Sequence, residues 1–277
     1  MKRERFNQGT RNDFKVTNKV VQDNSLIRSV WRMDAVAIKL FQMAISCIDI
    51  ESPPQDNTVY LSKSDLFHFM GTGSGDKYTR FRDHLRKLQS QVLLIPLKDG
   101  KRFMSVVPIP TVVFSTEKTD NQIKLVFNPD IMPYLVGLRS NFTQYEIGQL
   151  LNIRKKYSLI IFQLAMTHYK LKKTDDPDQI VSFKIALDEL RDITDTKNDL
   201  LRFDHFELRV LRDSINEINN ARTDFLITYE KLKVDRKIVT IRFLMRQRLS
   251  YDDLDYHYPS PINAINRWIA ARHLWRC

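Results

Sequence analysis

The 277-residue chain carries 44 Lys and Arg against 33 Asp and Glu, a formal charge of +11, and 43% of its residues are hydrophobic. That length and apolar share suffice for two domains with cores of their own, and the positive excess favours a polyanionic partner, nucleic acid first. No apolar run approaches the roughly 18 residues of a membrane span, and the start MKRERFNQGTRNDFK lacks the apolar core of a secretory signal. A cytoplasmic protein with no membrane partner is expected. Cys47 and Cys277 are the only cysteines; far apart, they form neither a disulfide framework nor a zinc site.

Residues 1–24 hold six Lys or Arg and three acids with little periodicity, which predicts a flexible basic arm. From Leu26 to Ile50 the spacing of Ile27, Val30, Trp31, Ile38, Phe41, Ile45 and Ile48 predicts helix with a break near Arg32–Asp34, stopped by Ser52-Pro53-Pro54. The next stretch reads as strand, helix, glycine-rich turn, helix, strand, turn and strand. Asp99-Gly100 between apolar runs is a two-residue hairpin signal. In the second of these helices Phe81, Leu85, Leu88 and Val92 form a buried stripe, leaving Thr79, Arg80, Asp83, Arg86 and Lys87 outward. Further on, Thr143-x-x-Glu146 has the form of a capping box opening a helix continued by Ile147, Leu150, Leu151 and Ile153. A second helix begins after Tyr157 with Leu159, Phe162 and Met166 on one face.

About 125 residues after the first set, the same grammar returns between Gln179 and Phe243. Leu61, Asp65 and Leu66 correspond to Ile185, Glu189 and Leu190, and Phe81 with Leu85 to Phe206 with Val210. The chain reads as an internal duplication. Each half is a helix-turn-helix followed by a β-hairpin, the winged-helix arrangement, in which the second helix enters the major groove and the hairpin rides the backbone. The expected fold is α+β with two tandem winged-helix domains: an arm over 1–24, a first domain over 25–144, a second over 145–250, and an extension over 251–277. In the extension, Ser260 and Pro261 mark a short helix.

In the second unit His205, Arg209, Arg212 and Asn216 recur at i, i+4, i+7 and i+11, within one stripe of an α-helix. Phe203, Phe206, Val210, Leu211, Ile215 and Ile218 occupy the opposite side, and Glu207, Asp213 and Glu217 fall outside the basic row. On an isolated helix such a face is more often a solvated charged surface. Its position as the second helix of a winged-helix unit favours DNA. Arg pairs with guanine and Asn with adenine, so Arg209, Arg212 and Asn216 are expected in a major groove. His205, near the helix start, is expected at phosphate, and Arg202 joins the same group. Lys231, Lys233, Arg236 and Lys237 in the second wing, with Lys98, Lys101 and Arg102 in the first, would supply the salt-sensitive backbone contacts. Lys77, Arg80 and Lys87 are the first-domain helix candidates.

No constellation for catalysis or a cofactor is found. The cluster Gly71-Thr72-Gly73-Ser74-Gly75 with Lys77 fails as a phosphate loop because Asp76 separates Gly from Lys and the segment follows a helix. A flexible turn is expected instead. The six histidines form no His-x-His pair and have no Cys partners at ligand spacing, so no metal site is expected. Asp252, Asp253 and Asp255 read as a solvated turn, and Trp268 with Trp275 as a packing pair.

The sequence resembles the iteron-type plasmid replication initiators over residues 14–248. The stretches that carry the likeness are Phe127-Asn128-Pro129 through Tyr134-Leu135, Asn141-Phe142-Thr143-x-Tyr145, Lys156-Tyr157-Ser158 with Phe162, and HFELRVLRDSINEIN followed by Thr223 and two strands. The resemblance implies a second domain that reads one end of a repeated origin site, with Arg209 in its recognition helix. It implies a first domain that contacts the other end and mediates dimerisation. It further implies a bacterial protein whose monomers open the origin at direct repeats and whose dimers repress its own gene, with host initiator and helicase as later partners. A plain transcriptional repressor and a DNA-nicking or priming enzyme are the rival readings; the missing metal pair counts against the enzyme. The chain departs from the family's pattern at Glu207 and Leu208, where basic residues are common.

Overall fold

The computed structural model describes residues 14–70, 77–97, 99, 101–115, 120–169 and 179–248. Most of the basic arm, the glycine-rich turn at 71–75, Lys98, and the extension with Asp252, Asp253, Asp255, Ser260, Pro261, Trp268 and Trp275 lie outside the described residues. The chain divides into two units. One comprises residues up to Leu26 with Val36–Gly148, and the other Ile27–Ala35 with the residues from Gln149 onward. No described helix is long and apolar enough to cross a membrane.

The first unit opens on a strand rather than an arm: β1 (Lys19–Asp23) pairs antiparallel with β8 (Phe142–Glu146). The capping-box expectation at Thr143 fails here. Thr143 and Tyr145 are buried while Phe142 and Glu146 point out, a period of two that fits a strand, and the β-branched and aromatic residues favour it. Helical geometry resumes only as a 3₁₀ turn at Ile147–Leu150. The edge is tied further by the N–H of Gly148, which bonds the Val16 carbonyl at 2.8 Å. A Cβ on Gly148 would sit 2.8 Å from that oxygen, so the close approach requires glycine.

The Leu26–Ile50 helix is also more broken than its spacing predicts. A short α1 (Asn24–Ile27) and a two-residue β2 (Val30–Trp31) precede α2 (Ala35–Ser46), and Trp31 spends its indole N–H on the Ile27 carbonyl at 3.0 Å. Helix α2 is buried on all sides, as a helix apolar around its circumference must be. Each fully buried residue such as Ile38 or Phe41 contributes roughly 1.5–3 kcal/mol. After it come β3 (Thr58–Ser62), α3 (Lys63–Met70), α4 (Lys77–Ser90), and the antiparallel pair β4 (Leu93–Pro96) and β5 (Phe103–Val106). Pro96 faces Phe103, so the Asp99-Gly100 connection is longer than the expected two-residue turn. Asp99 organises it by accepting from the N–H groups of Lys101 and Arg102.

A further hairpin, β6 (Thr111–Phe114) with β7 (Gln122–Val126), takes β3 as its third strand, in the order β3-β7-β6. The duplication is therefore imperfect. In the second unit β9 (Val181–Ala186) pairs directly with the second wing strand, giving the order β9-β11-β10 with β10 (Phe225–Val234) and β11 (Lys237–Gln247).

The second unit repeats the plan of a largely buried helix, α5 (Lys156–Tyr169), whose Phe162 ring stacks on Phe225 at 5.8 Å. Its helix-turn-helix is α6 (Leu187–Ile193) followed by a reading helix in three parts. These are α7 (Phe203–Phe206), a π-helical turn (Glu207–Arg212) and α8 (Asp213–Asn220), running without interruption. Ile27–Ala35 belongs to this unit through Arg28 with Glu189 and Arg32 with Asp195 at 3.8 Å.

Candidate nucleic-acid interface

The reading helix of the second unit is fixed from beneath by Phe206, Val210, Leu211, Ile215 and Ile218, all buried, with Phe203 half-buried. Arg191 of α6 is a core cation rather than a surface one. Its guanidinium lies 4.5 Å from the Phe206 ring centroid and donates to the Leu200 carbonyl at 2.6 Å and that of Leu201 at 3.3 Å, which sets the turn into the helix. At the other end, the Asn219 amide both donates to and accepts from the Ile227 backbone, at 2.9 and 2.8 Å, locking the helix to β10. Neither anchor has a periodic signal in the sequence.

Opposite this base, Arg202, His205, Leu208, Arg209, Arg212 and Asn216 are exposed. The stripe expected from a uniform 3.6-residue period is present, although the helix is not uniform. Around the π turn the N–H of Asp213 bonds the carbonyl of Leu208, five residues back. Leu208 and Arg209 both lie on this outer side, so an apolar side chain joins the polar face.

Three acids of this helix, Glu207, Asp213 and Glu217, are engaged away from that face, and the fourth, Asp204, pairs with Arg202 at its start. Glu207 accepts from the Tyr229 hydroxyl at 2.8 Å and the Lys231 ammonium at 2.9 Å, joining the helix to the wing strand β10. Partial burial opposes its ionisation, but the two hydrogen bonds outweigh this and hold the carboxyl below its usual value. The Tyr229 phenol is pushed up by burial and by the carboxylate beside it. Asp213 pairs with Lys155 at 3.6 Å, and Glu217 accepts from the N–H groups of Arg154 and Lys155, capping α5 with negative charge at its N-terminus. Asp204 is held by Arg202 at 2.6 Å. Among the described residues neither Arg209 nor Arg212 has an acid within ion-pair distance.

In the second wing Val234 faces Lys237 across a two-residue turn, with Asp235 at φ 48° and Arg236 at φ 69°. Both lie in the left-handed region of a type I′ turn, where Asn and Gly are the usual occupants. An arginine there stores strain of about 1–2 kcal/mol, and the tip presents exposed Lys233, Arg236 and Lys237. Lys231 is different, since its ammonium is committed to Glu207 and lies 5.9 Å from the Phe203 ring centroid.

In the first unit α4 buries Phe81, Leu85 and Leu88 as expected, with Val92 half-buried just beyond its end. Lys77 and Arg80 lie in the first turn of α4, and Lys87 is exposed near its end. Exposed Arg82, which the stripe reading passed over, shares the outer side with Arg86 and Asp83, the last two paired at 4.0 Å. In the wing Lys101 is exposed, while Arg102 is bound by Asp99, whose carboxyl the arginine lowers below the usual range. Among the described residues no group of three or more His, Cys, Asp or Glu side chains is placed to hold a metal ion. The Cys47 thiol is buried and pushed up to about 12, a packing residue.

Two helix-turn-helix units, each with a hairpin wing, the second with a basic face on its reading helix where Arg209 and Arg212 have no acid within ion-pair distance among the described residues, define a tandem winged-helix protein of the DNA-binding class. Residues 19–166 match the sequence profile of the family described as Initiator Replication protein, WH1, and residues 186–245 that of Initiator Rep protein, WH2. The chain belongs to this replication initiator family. Its fold is similar to that in the crystal structure of Pi initiator protein in complex with iteron DNA, with a TM-score of 0.69 and 19% identity, over 85% of this chain and 99% of that one. A structure of domains 2 and 3 of RctB matches at a TM-score of 0.39 and 14% identity, over 78% of this chain and 81% of that one, too low to define a common fold.

Proposed function

We propose that this chain is a plasmid replication initiator that binds repeated DNA sites at an origin as a monomer and, as a dimer, represses its own gene. The observation that carries the reading is the outer face of the α7–α8 helix: Arg209, Arg212 and Asn216 are exposed, and every acid on the helix is tied to the protein's own groups. Family membership and the solved complex of the Pi initiator with iteron DNA support it.

In this reading Arg209 and Arg212 contact guanine edges, Asn216 contacts adenine, and His205 and Arg202 contact phosphate at the helix start. Lys233, Arg236 and Lys237 follow the backbone from the wing, and the first unit supplies a weaker, second DNA contact and the dimer surface. The chain binds and opens DNA without catalysing a reaction, works in the bacterial cytoplasm, and hands the opened origin to host initiator and helicase.

The test is a footprint of the purified protein on DNA flanking its own gene. Protection of tandem direct repeats, with a separate inverted repeat occupied by the dimer, supports the reading. An inverted repeat alone would make the protein a repressor without a replication role, and Mg²⁺-dependent nicking of an origin plasmid would make it an enzyme.

A further inference from the structure

Leu208 is 47% exposed, on a helix whose other apolar residues are buried or, for Phe203, half-buried. It stands between Glu207, which is drawn to the wing by Tyr229 and Lys231, and Arg209, which has no acidic partner among the described residues. The π-helical turn is centred here, with the Leu208 carbonyl accepting the bond from five residues ahead. On an α-helix residues three, four and seven apart share a side, so Leu208 lies on the same outer face as His205, Arg209 and Arg212. π turns recur at functional sites, and the face at this one carries a single aliphatic group on a polar, basic surface.

We propose that Leu208 reads the 5-methyl group of a thymine in the major groove, beside the base contacted by Arg209. The major-groove edges of the four base pairs offer hydrogen-bonding atoms at every position but only one apolar group, the thymine methyl. The surroundings select DNA over an apolar protein surface. Arg209, Arg212 and His205 flank the leucine, no free carboxylate shares the face, and the whole chain carries +11. Desolvating those cations against a protein partner would be unfavourable, whereas phosphates receive them. This inference rests on the proposed role of the α7–α8 helix as the DNA reader.

The test begins with selection of a duplex from a randomised library by the wild-type protein. The selected site is then synthesised with deoxyuridine replacing thymidine at one position at a time, and binding is measured at fixed salt for wild type and Leu208→Ala. The expected result is one thymine, or two adjacent ones, whose missing methyl weakens wild-type binding about fourfold, the value of one buried methyl. L208A binds the thymine duplex correspondingly less well and is indifferent to uracil at that position. Its melting curve matches wild type, because the residue is exposed. Equal uracil effects in wild type and variant, or unchanged affinity of L208A, would overturn the inference while leaving sequence-specific binding intact. A changed oligomeric state of L208A in sedimentation would also overturn it, by assigning the leucine to a contact between copies. Failure of wild type to enrich any sequence would instead remove the proposed function itself.

Discussion

The two winged-helix units share a plan but use their charges differently. On α4 of the first unit an exposed acid, Asp83, sits among the arginines and pairs with Arg86, and at the wing tip Asp99 holds Arg102. On α7–α8 of the second unit the acids point to the wing, to the start of α5 and to Arg202, so Arg209 and Arg212 have no acid within ion-pair distance among the described residues. The first wing has strands of four residues, the second of ten and eleven. A basic total alone therefore does not locate a reading surface. What locates it is where the acids are spent.

The largest effect expected from disturbing this contrast is on stability. Phe206→Ala removes a fully buried ring that also receives the Arg191 guanidinium, and is expected to destabilise the second unit by about 3–5 kcal/mol. Calorimetry should show one transition moving down while the rest of the profile holds; a shift of the whole profile together would mean the units do not melt separately.

Glu207→Gln should remove about 1–2 kcal/mol of stability, because the bonds from Tyr229 and Lys231 lose their charge assistance. The sign follows from the lowered carboxyl. Its stabilisation is present above the ordinary glutamate pKa of 4.5 and is lost as pH falls below that value through the folded-state pKa. Melting temperature against pH should be flatter below 4.5 in the variant, and identical slopes would sink the clamp.

Arg236→Gly acts in two directions. It relieves the left-handed strain at φ 69°, adding about 1 kcal/mol of stability, and removes one phosphate contact, lowering the slope of log affinity against log salt by about 1. A gain in stability with an unchanged salt slope would place the wing tip away from DNA. The smallest effect belongs to the first wing: Asp99→Asn frees Arg102 and should steepen the salt dependence slightly without changing which sequence is bound.

Much of this was legible because buried apolar residues leave a period. Phe206, Val210, Ile215 and Ile218 fix the reading helix, as Phe81, Leu85 and Leu88 fix α4, and the exposed stripe is simply what remains. Element type failed where two local signals competed. Thr143-x-x-Glu146 satisfies a capping box, yet alternate burial of Thr143 and Tyr145 against β1 decides for a strand, and β1 itself lay hidden in a polar stretch read as an arm. The pairing of the β6–β7 hairpin with β3 is a long-range choice that spacing does not record.

At the site, sequence spacing found His205, Arg209, Arg212 and Asn216 but not the π turn, since a single i+5 bond scarcely disturbs a hydrophobic period. Nor did it separate Lys231, tied to Glu207, from exposed Lys233 two residues on. Pairings across 22 or 24 residues become visible only when the strand is laid beside the helix.

The central claim is that the second unit reads sequence and the first holds DNA less selectively. It is tested most directly by the ratio of specific to non-specific affinity, at one salt concentration, for Arg209→Ala against Lys87→Ala. Loss of a bidentate guanine contact should lower the Arg209→Ala ratio by about 1–3 kcal/mol, roughly 5-fold to 150-fold, with non-specific binding largely kept. Lys87→Ala should weaken both affinities together and leave the ratio unchanged. Equal loss of specific and non-specific binding in Arg209→Ala, or a collapsed ratio in Lys87→Ala, would contradict the assignment of reading to the α7–α8 helix.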